Sequence, residues 1–231
     1  MRIGFIVCLF TSLLSTSAVA DTLDGTLNHI DRTGSQFKGM TARFVYSKYT
    51  AIVQVKSEST GTIKLKKSPS NEILGLIDFE NPDRKVVALK GKTVEIYLPN
   101  IKTLQKADLG KHKGLVEQFI LFGFGTSRSD LERAYSVTYG GPENIGGEAA
   151  TRLVLISKKP EVVQQMPKFE LWISDKTGLP VQQKFYEPVP PGATSGDYNV
   201  FTYSDVKSTN LKDSDLDLKH PKDIKTEILN K

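Results

Sequence analysis

The sequence predicts a mainly β protein of sandwich or barrel type, carrying a few helices. Three observations point there. Many short segments alternate apolar and polar residues with period 2, turn residues separate them at short intervals, and only a few stretches follow the 3.6-residue period of a helix.

The first helical stretch places Leu23, Leu27 and Ile30 on one face, with Gly34 as its expected stop. The period then shortens. Ala42, Phe44 and Tyr46 alternate with Arg43, Val45 and Ser47; Ile63 and Leu65 alternate with Thr62, Lys64 and Lys66; Val94, Ile96 and Leu98 follow between Gly91 and Pro99. Such one-sided strands belong to antiparallel sheets. A second helical patch, Leu115–Phe122, gathers Leu115, Val116, Phe119, Ile120 and Phe122 on a broad apolar face before Gly123 and Gly125. Ser129 and Glu132 have the spacing of a capping box, which predicts a short helix carrying Leu131 and Ala134. Further strands are expected at Tyr135–Tyr139, Thr151–Ser157, Lys168–Ser174, Val181–Tyr186 and Tyr198–Tyr203. Asp175-Lys176-Thr177-Gly178 marks a hairpin, and the proline-rich Pro188–Gly196 stretch a long hairpin loop.

Arg2, the apolar run Ile3–Leu14 and Ala18-Val19-Ala20 have the layout of a secretory signal cleaved after Ala20. The run is shorter than the roughly 20 apolar residues that cross a bilayer. The 231 residues therefore divide into a leader, 1–20, and a single domain, 21–231. Cys8, the one cysteine, lies within the leader, and Asp21 stands where a lipoprotein would need its lipidated cysteine. The mature chain is expected to hold no thiol or disulfide, and a bacterial periplasm fits it best. The net charge of +5, with acids interspersed, suits a solvated surface and weak attraction to anionic lipid rather than a nucleic-acid stripe.

No catalytic constellation emerges. His29, His112 and His220 are scattered, and neither an H-E-x-x-H nor a G-x-S-x-G pattern occurs. Gly123-Phe124-Gly125 has Arg128 where a dinucleotide loop needs its third glycine. Asp213-Ser214-Asp215-Leu216-Asp217 resembles the opening of a calcium loop, but Leu218 and Ile224 replace the required glycine and glutamate; a solvated turn before a strand is the better reading. The lone Trp172 suits either a sheet interior or a cavity wall. Neither an enzyme nor a cofactor is expected. The amphipathic Leu115–Phe122 patch between glycines has the character of a mobile cover over an apolar concavity.

In sequence order, the first helix, the Met40–Lys48 strand, Gly61-Thr62-Ile63-Lys64-Leu65-Lys66-Lys67-Ser68-Pro69, Asn81-Pro82 and Gly91-Lys92-Thr93-Val94-Glu95-Ile96-Tyr97-Leu98-Pro99 resemble the LolA-like family of outer-membrane lipoprotein-sorting proteins. Phe169–Ile173 with Gly178-Leu179-Pro180, and the ending from Phe201 to Pro221, extend the resemblance over nearly the whole mature chain. It implies an incomplete antiparallel β-barrel, a half-barrel covered by lid helices. Leu115, Phe119 and Phe122 would belong to the lid, and Ala42, Phe44, Ile63, Leu65, Ile96 and Leu98 to the apolar cavity, with Trp172 as a further lining candidate. A register slip of one residue would exchange the two faces. The implied function is that of a soluble periplasmic carrier, which takes up acyl chains of lipoproteins or other lipids. It would receive them from an inner-membrane donor and deliver them to an outer-membrane acceptor through transient membrane-surface contact. A sensor of the same fold acting on a membrane partner is the alternative. Two departures stand out. The family's sorting proteins bond the lid through an arginine where Lys66-Lys67-Ser68-Pro69 stands here, and lysine lacks that planar fork. The Pro188–Gly196 loop is also longer than usual and reads as an insertion.

Overall fold

The computed structural model describes residues 22–70, 72–110 and 123–229. Helix α1 (Leu23–Gln36) opens it and leads into β1 (Gly39–Thr50) and β2 (Val55–Lys67), which form a long hairpin. Strands β3 (Ile73–Asn81), β4 (Lys85–Lys90), β5 (Thr93–Leu98) and β6 (Thr103–Asp108) continue as a meander. Helix α2 (Arg128–Ala134) precedes β7 (Tyr135–Ile145) and β8 (Glu148–Ser157); helix α3 (Pro160–Gln165) precedes β9 (Lys168–Ser174), β10 (Pro180–Tyr186) and β11 (Tyr198–Ser208). A 3-10 turn (Asp213–Leu216) leads to β12 (Lys225–Ile228).

All of these strands join one 12-stranded sheet in the order β12-β6-β5-β4-β3-β2-β1-β11-β10-β9-β8-β7. The pairings are antiparallel except that of β12 with β6, and the end strands β12 and β7 are not paired to each other. The sheet is therefore open, as the half-barrel expectation required.

Period-2 alternation sorts its two faces. Met40, Ala42 and Phe44 of β1, Ile63 and Leu65 of β2, Ile77 and Phe79 of β3, Leu89 of β4 and Val94 of β5 share one buried cluster on the inner face. A second inner cluster sets Leu27 and Ile30 of α1, Leu131 of α2 and Val162 of α3 against Leu153, Leu155, Phe169, Leu171 and Phe185. Burying Leu and Phe side chains of this kind contributes roughly 1.5–3 kcal/mol each, which the ordering of the chain largely offsets.

The outer face has a different cover. Leu218 and Ile224, from the chain's last segment, pack on Val86, Tyr97 and Leu104, and Leu216 beside them is buried. Lysines clasp this acidic segment: Lys66 to Asp213 at 2.5 Å, Lys90 to Asp217 at 2.9 Å and Lys102 to Asp223 at 3.1 Å. The aspartates of 213–217 are thus a strap salted to the sheet. Being exposed, such pairs contribute little individually, and the apolar contacts beneath hold the strap.

Several expectations need correction. Gly34 is not the stop of α1, which runs two residues further. It is a close-approach point: a Cβ there would lie 2.2 Å from the Thr126 carbonyl oxygen, so the chain entering α2 can press on α1 only at glycine. The cap of α2 is Ser127 rather than Ser129; its Oγ accepts from the Asp130 amide, and its place is fixed because Asp31 of α1 also receives the Arg128 amide at 2.9 Å. Strand β7 extends past Tyr139 to Ile145 through a register shift at Gly141. Helix α3 and strands β3, β4 and β6 have no counterpart among the segments expected from pattern alone, whereas β12 is the strand expected after the 213–217 turn.

Candidate functional site

The inner face of β1–β6 and β11 is the candidate site. Aromatic side chains dominate its centre. Phe44 meets Phe79 edge-on with ring centroids 5.1 Å apart and lies 5.7 Å from Phe201, which in turn sits 4.6 Å from Tyr46. Two hydroxyls are held internally. Tyr46 donates to Asn199 Oδ1 at 2.7 Å, and buried Tyr203 donates to Gln183 Oε1 at 2.9 Å. Burial raises both hydroxyl pKa values above the ordinary tyrosine range, with the Glu187 charge adding to the effect at Tyr46. Both tyrosines therefore remain neutral, and this surface offers apolar atoms and neutral dipoles.

Around the buried cluster lies a rim of half-buried side chains: Ile73, Val87, Ile96, Ala107, Leu109 and Phe201. The two halves of the inner face differ in this respect. Under α1 the space between helix and sheet is filled by fully buried side chains. Over β3–β6 the apolar residues keep part of their surface free. Phe37 and Phe124 seat themselves at the junction; Phe124 packs edge-on against Tyr203 at 5.3 Å and lies 6.4 Å from Phe37. Arg128, at the start of α2, ties the chain leaving this junction to α1, donating to Asp24 at 2.7 Å and Asn28 at 2.9 Å, and to Glu132 of its own helix at 2.9 Å.

Of the residues nominated from sequence, Phe44, Ile63, Leu65 and Ile96 come together on this face, the first three buried and Ile96 half-buried at the rim. Ala42 belongs to the same cluster, and Leu98, half-buried, shares the face with Ile96 by alternation along β5. Trp172 does not join them. Next to inward-facing Leu171 and Ile173 it points outward, packs with Ala150 and Val181, and donates its indole N–H to Glu143 Oε2 at 2.8 Å. Leu115, Phe119 and Phe122 lie outside the described residues, as does the 1–20 leader. Pattern reasoning missed Phe79, Phe124, Phe201 and Tyr203. The alternation of Phe201 with Tyr203 in β11 was a usable signal, whereas Phe124 lies in a turn whose seat depends on α1.

Among the described residues, no group of three or more His, Cys, Asp or Glu could hold a metal. No helix there is long and apolar enough to cross a membrane.

These features define an open half-barrel with helices on its inner face and an apolar, partly exposed lining. No family model and no curated protein matches the chain. Solved structures do. An uncharacterised conserved protein from Thermus thermophilus is 16% identical at a TM-score of 0.55, over 89% of this chain and 98% of its own. MucB is 16% identical at 0.52, over 85% of this chain. This chain spans 62% of the length of that MucB chain. A LolA superfamily protein from Nitrosomonas europaea is 17% identical over 87% of this chain and 99% of its own, at a TM-score of 0.42. The likeness is one of fold: the mainly β, open-barrel architecture implied by the LolA-like resemblance is the architecture the chain has.

Proposed function

We propose that this protein is an exported, non-enzymatic carrier that holds the acyl chains of lipoproteins or other lipids against the inner face of its half-barrel. The half-buried apolar rim over β3–β6 carries this reading. Side chains there retain apolar surface that an acyl chain would cover, at roughly 25 cal/mol per Å². The neutral, internally bonded Tyr46 and Tyr203 add no charge that would repel hydrocarbon. The leader read from the sequence supports a periplasmic location, with one domain from residue 21 onward moving between an inner-membrane donor and an outer-membrane acceptor.

Native mass spectrometry of protein isolated from its own periplasm tests the reading. Co-purifying lipid or lipoprotein, together with transfer of labelled lipid between liposomes, is the expected result. A protein that stays empty and transfers nothing overturns it. Retention without transfer assigns the chain instead to a lipid-binding sensor of the same fold.

A further inference from the structure

The outer face is covered by the strap over β3–β6, but at the opposite end of the molecule it presents a different surface. The turn between β1 and β2 carries Ile52 and Val53, 76% and 61% exposed, followed by Val55 at 55%. Beside it stands the β10–β11 loop with Val189, 54% exposed; the two are joined where the Ala51 amide donates to Asp197 Oδ1 at 2.8 Å. Scattered single apolar residues need no explanation, but here they crowd the tips of two adjoining loops.

Behind the tips, strand register assembles a row that no local stretch of sequence shows. Lys56 pairs with Tyr49, Tyr49 with Tyr198, Tyr198 with Tyr186 and Tyr186 with Lys168, across β2, β1, β11, β10 and β9. Directly paired residues share a face, so three tyrosines lie side by side with a lysine at each end. Tyr49 stacks on Tyr198 at 4.9 Å. One row further in, Lys184 lies over the rings of Tyr186 and Tyr198 at 4.6 and 4.0 Å, and Lys168 lies 3.9 Å from the Tyr186 ring. A groove of 560 Å³ runs along this surface between Lys56, Arg152, Lys168 and Lys184. Three carboxylates face its four cations: Glu58, 2.7 Å from Lys56; Glu143, 3.0 Å from Arg152; and Glu170, which accepts from Tyr186 Oη at 2.7 Å and lies 3.4 Å from Lys168 and 3.7 Å from Arg152. Cations therefore outnumber carboxylates.

We propose that this end of the half-barrel docks on an anionic bilayer: Ile52, Val53, Val55 and Val189 enter the acyl boundary, the tyrosine row lies at headgroup level, and Lys56, Lys168 and Lys184 face lipid phosphates. The sequence of layers is the argument. Hydrocarbon atoms at the tip, then a band of aromatic rings with ammonium groups at its ends and one row behind it, follow the order of environments met on leaving a bilayer. The distances agree. Ile52 follows Tyr49 by three residues and lies in the 51–54 turn beyond Thr50, so the tip stands at most roughly 10 Å past the ring row, against about 5–10 Å for interfacial insertion. A narrow projecting tip also suits a deformable lipid surface better than the flat, well-packed patch of a protein interface. The proposal deepens the carrier reading by naming where such a protein would meet a membrane, but it does not depend on cargo in the inner face.

Vesicle flotation tests it. The purified protein should float with vesicles of phosphatidylglycerol and phosphatidylethanolamine, and markedly less with phosphatidylcholine vesicles or at high salt. I52S/V53S/V55S, at sites too exposed to affect folding, should lower partitioning at least about tenfold. K168Q/K184Q should lower it by up to about fivefold per lysine on anionic vesicles and leave neutral vesicles unaffected. Neither variant should lose binding of a monomeric acyl probe, so failure here is separable from failure of the carrier reading. Absence of flotation overturns the proposal, as does flotation that the tip substitutions leave unchanged. Unchanged flotation combined with loss of a co-isolated membrane protein assigns the surface to a protein partner and also overturns it.

Discussion

Replacing Phe124 by alanine should weaken the fold and enlarge the lipid site at once. Phe124 is 1% exposed and fills the junction between the inner sheet face and α1, with Tyr203 and Phe37 against its ring. Truncating a phenylalanine so enclosed removes its transfer free energy and leaves a cavity, together about 3–5 kcal/mol. For a chain of this size that corresponds to a fall of roughly 6–20 °C in Tm, at about 2–4 °C per kcal/mol. The hole opens on the face proposed to hold acyl chains, so a fatty-acyl ligand should fill part of it. Saturating ligand at about 100 times Kd stabilises a binding-competent fold by about 2.7 kcal/mol. Tighter binding by F124A would make its ligand-induced Tm shift larger than that of the parent at equal ligand concentration. Differential scanning calorimetry with and without ligand reads both effects. A stability loss below about 1 kcal/mol would show that Phe124 is not packed as described; an unchanged ligand shift would show that it does not border the site.

Three further outcomes are expected. Ile96→Asp places a charge on the half-buried rim rather than in the closed core, and should abolish fluorescence of a bound acyl probe while circular dichroism stays that of the parent; retained probe binding would remove Ile96 from the site. Gly61→Ala should prevent accumulation of folded protein, because its Cβ would lie 2.0 Å from the Asp78 carbonyl oxygen and 2.8 Å from the Phe44 ring; normal soluble yield and melting would contradict the β2–β3 geometry. Stability should fall in alkali. Burial pushes the Tyr135 hydroxyl up to about 12 and Tyr203 higher still, so above pH ~10 the folded chain keeps protons that the unfolded chain has lost. Stability is then full below pH ~10 and declines as pH rises through 12. Urea titrations from pH 8 to 11.5 should show this decline, and Tyr135→Phe should make it shallower.

Much of this molecule was legible as local pattern. The alternation in β1, β2 and β5 placed Phe44, Ile63, Leu65, Ile96 and Leu98 on one face because side-chain direction in a strand reverses at every residue. The spacing of Leu23, Leu27 and Ile30 predicted α1 for the same kind of reason. What tertiary structure decided was partnership. The sequence did not show that β12 would pair parallel to β6, that lysines of β2 and β4 would hold the acidic strap, or that Gly34 would sit inside a helix beneath Thr126. Trp172 could line either face until the register of β9 against β8 and β10 placed it outside. The tyrosine row is the clearest case: its five residues lie on five strands, and only the hydrogen-bonded ladders bring them side by side. Period is a property of the chain itself, written into each segment by backbone geometry. Register depends on the summed burial and hydrogen bonding of the whole sheet, which no single segment contains.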